Sequence, residues 1–246
     1  MTHRIALVTG ANKGIGLEIS RQLAQAGVHV LLTGRNRARV QASAETLATE
    51  GHRVTPITLD VTDETTFAEA RRYLDEHTDG RLDILINNAA IRVEAYGQPP
   101  SAQPLSDWTT TFSTNLFGVV RVTQEFLPYL LRSPAGRIVN ASSLLASLTR
   151  HCDRDSYTYS DTFKSLPAYS ASKTALNSWT VHLAYELRET PIKVNAAHPG
   201  YTRTDLNDGA GDIEPEQAAS TAVYLALLDP DGPTGAFITG NTALPW

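Results

Sequence analysis

One cysteine, Cys152, is all the chain contains, so no disulfide closes within it and no paired-thiol metal site exists. The seven histidines include no pair at the i, i+4 spacing of a helical metal site. His151, Cys152 and Asp153 are adjacent, and three neighbouring side chains rarely converge on one ion. We expect no metal. No apolar run approaches the ~18 residues that cross a bilayer, and "MTHRIALVTG" carries no signal-peptide pattern. The expectation is a cytoplasmic protein without a membrane segment. There is no excess of positive charge: the formal net charge is −5, which gives no reason to expect a nucleic-acid partner. Linkers, repeats and low-complexity stretches are missing too. What is present is an ordinary globular composition, 41% hydrophobic and 19% charged over 246 residues, enough for one large domain with a full core.

Short apolar β-branched runs alternate with helix-period segments. Strands are expected at 4–9, 28–34, 54–60, 82–87, 136–142, 192–198 and 236–239. Helices are expected at 15–27, 37–51, 63–77, 105–132, 166–189 and 215–228. Near-continuous apolar strands separated by helices imply a parallel sheet covered on both faces. The expected architecture is α/β, a doubly wound seven-stranded parallel sheet in a single domain over 1–246. In such sheets ligands bind beyond the C-terminal strand ends, so residues just after strands matter most.

The first strand runs into "TGANKGIG" (9–16). Gly10, Gly14 and Gly16 allow a sharp turn and close backbone approach to a pyrophosphate, and the following helix offers oriented N–H groups. This is a dinucleotide-binding turn. The tip of the second strand, "TGRNR" (33–37), has no acid for a ribose 2′-hydroxyl. Arg35 and Arg37 stand there instead, with Lys13 in the glycine turn. Cations around one ribose suit a 2′-phosphate, so the cofactor expected is NADP(H).

Tyr169 and Lys173 lie four apart in "AYSASKTA", on one helix face. A free phenol, with a pKa near 10, is a slow acid at neutral pH. Two charges ~4 Å apart at an effective dielectric of 20 interact by about 4 kcal/mol. At ~1.4 kcal/mol per unit, Lys173 lowers the phenol's pKa by up to about three units. Tyr169 is the expected general acid. Ser142 and Ser143 end a strand beside this helix, and a serine hydroxyl there can polarise a carbonyl or satisfy the strand end. Tyr157 and Tyr159 precede Lys164 at other spacings and read as loop aromatics or pocket walls.

These motifs, in this order, resemble the short-chain dehydrogenase/reductase family over nearly the whole chain. "TGANKGIG" is similar to its glycine motif, "LDVT" (59–62) to its adenine-site acid, "NNAA" (87–90) to its turn after strand four, "STNLFG" (113–118) to its helix asparagine, "VNASS" (139–143) to its serine strand and "HPGYTRT" (198–204) to its cofactor loop. Ala90 departs from the family's glycine there. The resemblance implies a Rossmann fold and a catalytic set of Asn115, Ser143, Tyr169 and Lys173. Asn115 would mark a helix irregularity serving a proton relay, and Lys173 would also hold the nicotinamide ribose. The implied cofactor residues are Gly10, Asn12, Lys13, Gly14, Ile15, Gly16, Arg35, Asp60, Val61, Asn87, Ala89, Tyr169, Lys173, Pro199, Gly200, Thr202 and Thr204.

The Asn12–Lys13 pair, Arg35 and the long stretch before Tyr169 look like the carbonyl-reductase branch, which implies an NADPH-dependent reductase of a small-molecule ketone or aldehyde. An imine or enone reductase is the alternative within the family. A dinucleotide-sensing domain is the alternative outside catalysis, and it would need no acid. An inserted segment at about 144–167 resembles one that covers the long-helix face in monomeric members. A monomer is therefore favoured over a dimer or tetramer, with 150–163 near that face and the pocket edge. Ser165 is the expected cap of the helix that carries Tyr169.

Overall fold

The computed structural model describes residues 3–246. Strands Ile5–Val8 (β1), His29–Gly34 (β2), Val54–Thr58 (β3), Ile84–Asn87 (β4), Arg137–Ala141 (β5), Lys193–Ala197 (β6), Phe237–Thr239 (β7) and Thr242–Ala243 (β8) form one sheet. Its order is β3-β2-β1-β4-β5-β6-β7-β8, parallel except for β8, which pairs antiparallel with β7 through Ile238–Ala243 and Thr239–Thr242. The doubly wound sheet was expected with seven strands, and seven are parallel. The eighth is a two-residue return after Gly240, too short to register as an apolar run.

The helices are Gly14–Gln25 (α1), Arg37–Thr49 (α2), Ala68–His77 (α3), Leu105–Phe112 (α4), Val119–Leu130 (α5), Leu148–Cys152 (α6), Asp161–Lys164 (α7), Pro167–Glu186 (α8) and Pro215–Ala226 (α9). The strands are apolar at consecutive positions because both faces are buried. In β1, Ala6 and Val8 join Ile19 and Leu23 of α1 and Leu225 of α9 in one core. Ile5 and Leu7 join Leu74 of α3, Phe126 of α5 and Leu183 of α8 in the other.

Two expected helices prove composite. The segment 63–77 opens as a 3₁₀ turn, Glu64–Phe67, before α3. The segment 105–132 is α4 and α5 joined by a π-turn, Ser113–Gly118, with Asn115 inside it. The inserted segment carries α6 and α7, which the sequence pattern did not reveal. Thr149 donates to the carbonyl of Trp246 through its amide (3.3 Å) and its hydroxyl (2.9 Å). Tyr157 packs edge-on against Phe163, and Phe163 against Tyr201, each at 5.4 Å between centroids. The segment thus lies at the cavity edge, as expected. It does not seal the long-helix face, where Phe117, Val181 and Tyr185 stay exposed; of its aromatics, Tyr157 and Phe163 face the cavity and Tyr159 is exposed.

Candidate active site

The glycine turn leaves β1 at Thr9, and two left-handed glycines, Gly10 (φ 62°) and Gly14 (φ 54°), bend it into α1. A Cβ on Gly16 would lie 2.5 Å from Asn88 Nδ2 and from the Gly10 carbonyl, so only glycine fits. The β4 loop is stitched to this turn: Asn88 Nδ2 donates to the Thr9 carbonyl (2.9 Å), and Ala89 N donates to Thr9 Oγ1 (3.1 Å). No side chain caps the N-terminus of α1, so its first amides and the positive end of its dipole are open to an anion.

A cavity of about 600 Å³ opens over the C-terminal strand ends. One end is bordered by Gly10, Asn12, Lys13, Gly14, Ile15, Gly16, Arg35, Asp60 and Val61. Arg35 is exposed and has no carboxylate partner among the described residues. Lys13 Nζ contacts Asp205 Oδ2 at 2.6 Å, with both side chains largely in water. Asp60 Oδ1 is turned back onto Thr62, accepting from its amide (2.9 Å) and hydroxyl (2.7 Å). The other end is bordered by Ala89, Ser143, Tyr169, Lys173, Pro199, Gly200, Thr202 and Thr204. Ala90 takes an ordinary backbone, since the only described non-glycine residues with positive φ are Asp79 and Asp208.

Two expected site residues lie beneath the cavity rather than on it. The Asn87 side chain is buried and donates to Thr123 Oγ1 (3.1 Å) and Asn140 Oδ1 (2.9 Å). It points inward because alternation along β4 puts Asn88, not Asn87, at the glycine turn. Asn115 is fully buried. Its amide clamps Ile91, accepting from Ile91 N and donating to Ile91 O, both at 2.9 Å, and it also donates to Ser172 Oγ at 3.1 Å. Ser142 and Ser143 both border the cavity, but Ser142 Oγ donates to Asn177 Oδ1 (2.6 Å), whereas the Ser143 hydroxyl bears on the Tyr169 phenol.

Charge at the centre departs from expectation. Lys173 is buried. Its Nζ donates to the Ala141 carbonyl at 2.7 Å and stands 5.9 Å from the centre of the Tyr169 ring. Burial alone pulls its pKa down to about 7. Burial pushes Tyr169 up to about 12, with the Ser143 hydroxyl pulling the other way. The expected lowering by Lys173 is not among the influences on the phenol. Desolvation opposes both charged forms and outweighs their attraction when the ammonium is aimed at a carbonyl. The phenol is therefore held protonated across neutral pH.

Further residues shape the site: Tyr157, one of the two tyrosines read as loop aromatics or pocket walls, lines the cavity, and so do His198 and Tyr201 of the 198–204 loop, whose individual roles the sequence does not indicate. His198 Nδ1 accepts from the amides of Leu144 (3.2 Å) and Gly200 (3.4 Å), tying the Ser143 strand end to the Pro199–Gly200 loop. Burial lowers its pKa to about 4, so it is neutral and able to accept. The aromatic wall adds Tyr157, Phe163 and Tyr201, with Leu145, Leu166 and Leu206. Ser165 is not the helix cap. Its hydroxyl donates to the Thr162 carbonyl and accepts from Gly97 N, because a residue far upstream already serves the helix end. Among the described residues no group of three or more His, Cys, Asp or Glu could hold a metal ion, and no helix is long and apolar enough to cross a membrane.

The sequence model of a family described as short chain dehydrogenase matches residues 4–214. Over 98% of this chain and 98% of the relative, the sequence is 32% identical to carbonyl reductase [NADPH] 1 of Mus musculus. It is 32% identical to (-)-isopiperitenone reductase of Mentha piperita, again with 98% of each covered. Among solved structures, the NADPH-bound carbonyl reductase from chicken fatty liver superposes with a TM-score of 0.84 at 28% identity, covering 100% of both chains.

Proposed function

The chain belongs to the short-chain dehydrogenase/reductase family, in its carbonyl-reductase branch, and from that membership we propose that it uses NADPH to reduce a ketone or aldehyde to an alcohol. Residues 1–246 then act as one dinucleotide-binding and catalytic domain. One observation carries the reading: Ser143, Tyr169 and Lys173 line the same cavity as the glycine turn and Arg35.

The residues present fit the cofactor. Gly10, Gly14 and Gly16 form a cradle that a Cβ would strain or fill, beside uncapped helix amides suited to a pyrophosphate. Asn12 and Ile15 border that cradle. Lys13, now paired with Asp205, and Arg35 would hold the 2′-phosphate. Asp60 and Val61 would border the adenine. Ala89, Pro199, Gly200, Thr202 and Thr204, at the other end of the cavity, would hold the nicotinamide end. When bound, the dinucleotide supplies hydride to the carbonyl carbon. Ser143 donates a hydrogen bond to the carbonyl oxygen. Tyr169, protonated at neutral pH, donates its proton to the oxygen as negative charge develops. Lys173, whose Nζ lies on the Ala141 carbonyl, would hold the ribose and bias that proton. Asn115, in its π-turn, links the Ile91 loop to Ser172 beside the acid, the position from which it serves the relay.

The reading is tested by following NADPH oxidation with a panel of ketones, aldehydes, quinones, imines and enones. Turnover of carbonyls is expected. Turnover of imines or enones alone would move the substrate class, and tight NADPH binding with no turnover would favour the sensing domain.

Cofactor choice gives a second expected result. A charged bond to phosphate contributes about 1.5–3 kcal/mol, so Arg35→Asp weakens NADPH by roughly 10- to 100-fold and leaves NADH near its original affinity. Titrations by fluorescence read both. Equal affinity of the wild type for NADH and NADPH would remove Arg35 from the selection.

A further inference from the structure

Tyr169 lies in the first turn of α8, so the position of its hydroxyl depends on how that helix end is held. The helix opens with Pro167, which has no N–H, after Leu166, which cannot cap. The amides of Ala168 and Tyr169 would be orphan donors. Both donate to one carboxylate: Ala168 N to Glu94 Oε1 at 2.5 Å and Tyr169 N to Glu94 Oε2 at 2.9 Å. Glu94 is 2% exposed and belongs to the loop between β4 and α4.

That loop is a bracket on the helix end. Gly97 N donates to Ser165 Oγ at 3.0 Å, and Gln103 Nε2 to the Ser165 carbonyl at 3.2 Å. Arg92 reaches the Glu94 carbonyl (2.7 Å) with one nitrogen, and the Leu206 carbonyl (2.9 Å) and Asp208 Oδ2 (2.6 Å) with the others. The carboxylate itself is expensive. Burial and Asp107 push its pKa up, against the two amides and Arg92. A neutral hydroxyl or amide cap would avoid that desolvation.

We propose that Glu94 is the positioning residue for the catalytic acid: its carboxylate clamps the backbone of Tyr169 itself, setting the phenol against Ser143, and its charge offsets the helix dipole that would otherwise favour the phenolate. The proposal rests on Tyr169 being the acid. The electrostatic half follows from the roughly +0.5 elementary charge at a helix N-terminus, one turn from the phenol. The other groups facing Tyr169 are Ser143, Tyr157, Tyr96 and Arg92, with Lys173 one turn along the helix.

Glu94→Gln preserves shape but replaces one acceptor with a donor facing an amide donor, and it removes the charge. Loss of one charge-assisted bond corresponds to roughly 10- to 100-fold. Amide hydrogen exchange at Ala168 and Tyr169 is expected to quicken by that factor, and kcat to fall by a similar one, with NADPH affinity unchanged. The alkaline limb of the kcat profile moves to lower pH in Glu94→Gln and stays in place in Glu94→Asp, which keeps the charge. Unchanged exchange at both amides, or unchanged kcat, overturns the clamp; an unmoved alkaline limb overturns the electrostatic half. If Glu94→Gln does not fold, the same exchange measurement on Glu94→Asp, too short to span both amides, decides the clamp. Tyr169→Phe in the same series separates the two readings. An active Phe variant sinks the role of Tyr169, whereas an inactive one beside a fully active Glu94→Gln sinks the role of Glu94 alone.

Discussion

Tyr169→Phe is expected to bind NADPH as the parent does and to turn over about 10²- to 10⁴-fold more slowly, the usual cost of removing a positioned acid. The ring is 8% exposed and packs with Leu145 and Leu166. Phenylalanine keeps that packing and loses only the hydroxyl. The loss should fall on kcat, because the hydroxyl acts as charge develops on the carbonyl oxygen rather than in substrate binding. With the phenol raised to about 12 by burial, its proton is present throughout the neutral range. Reduction should therefore show no loss of activity attributable to Tyr169 below pH 10. Single-turnover measurement of hydride transfer checks this, with NADPH affinity measured separately. A Phe variant reducing substrate at the parental rate would take Tyr169 out of the mechanism. Tyr159→Phe is the control. That ring is exposed, carries Lys164 over its face at 5.2 Å and does not line the cavity, so most activity should remain.

Lys173→Met should lower both turnover and cofactor affinity, because one ammonium serves the ribose and the proton. It should also change how stability depends on pH. Lys173 has its pKa lowered by burial from the ordinary 10.5 to about 7. Between those values the unfolded chain holds a proton that the folded chain does not. Stability then rises with pH across the window, by at most about 1.4 kcal/mol per unit from this group. Below pH 7 both states are protonated and the slope vanishes. Methionine keeps the buried stem and removes the titration. Denaturant unfolding at a series of pH values between 7 and 10 should show a steeper rise in the parent than in Lys173→Met. Parallel profiles would mean that the ammonium keeps its charge in the folded state, and the carbonyl of Ala141 would then be a stronger partner than its geometry implies.

The sheet was legible because its signal is local. Strands such as "IALV" of β1 and "ILIN" of β4 are apolar at consecutive positions since both faces are buried, and Gly27 stops the first helical pattern with a left-handed φ of 82°. The glycine turn and the Tyr169–Lys173 spacing were legible for the same reason, as a φ requirement and a helical period are properties of a few neighbouring residues. Burial and distant partners are not. The i, i+4 spacing placed an ammonium near a phenol, but the fold aimed it at Ala141 and desolvated both, reversing the expected direction of the phenol's shift. "SLP" offered Ser165 as a cap, while the acceptor came from Glu94, 74 positions before Ala168, in a loop with no period to read. The π-turn around Asn115 depends on its amide meeting Ile91 and Ser172, contacts made only once β4 and α8 are packed. Lys13 could be read as a phosphate ligand, but its present partner, Asp205, is set by how the loop after β6 folds over the glycine turn. Backbone period and φ are written residue by residue; the charge state of a buried group and the partner of a helix end are set by what the chain brings beside them.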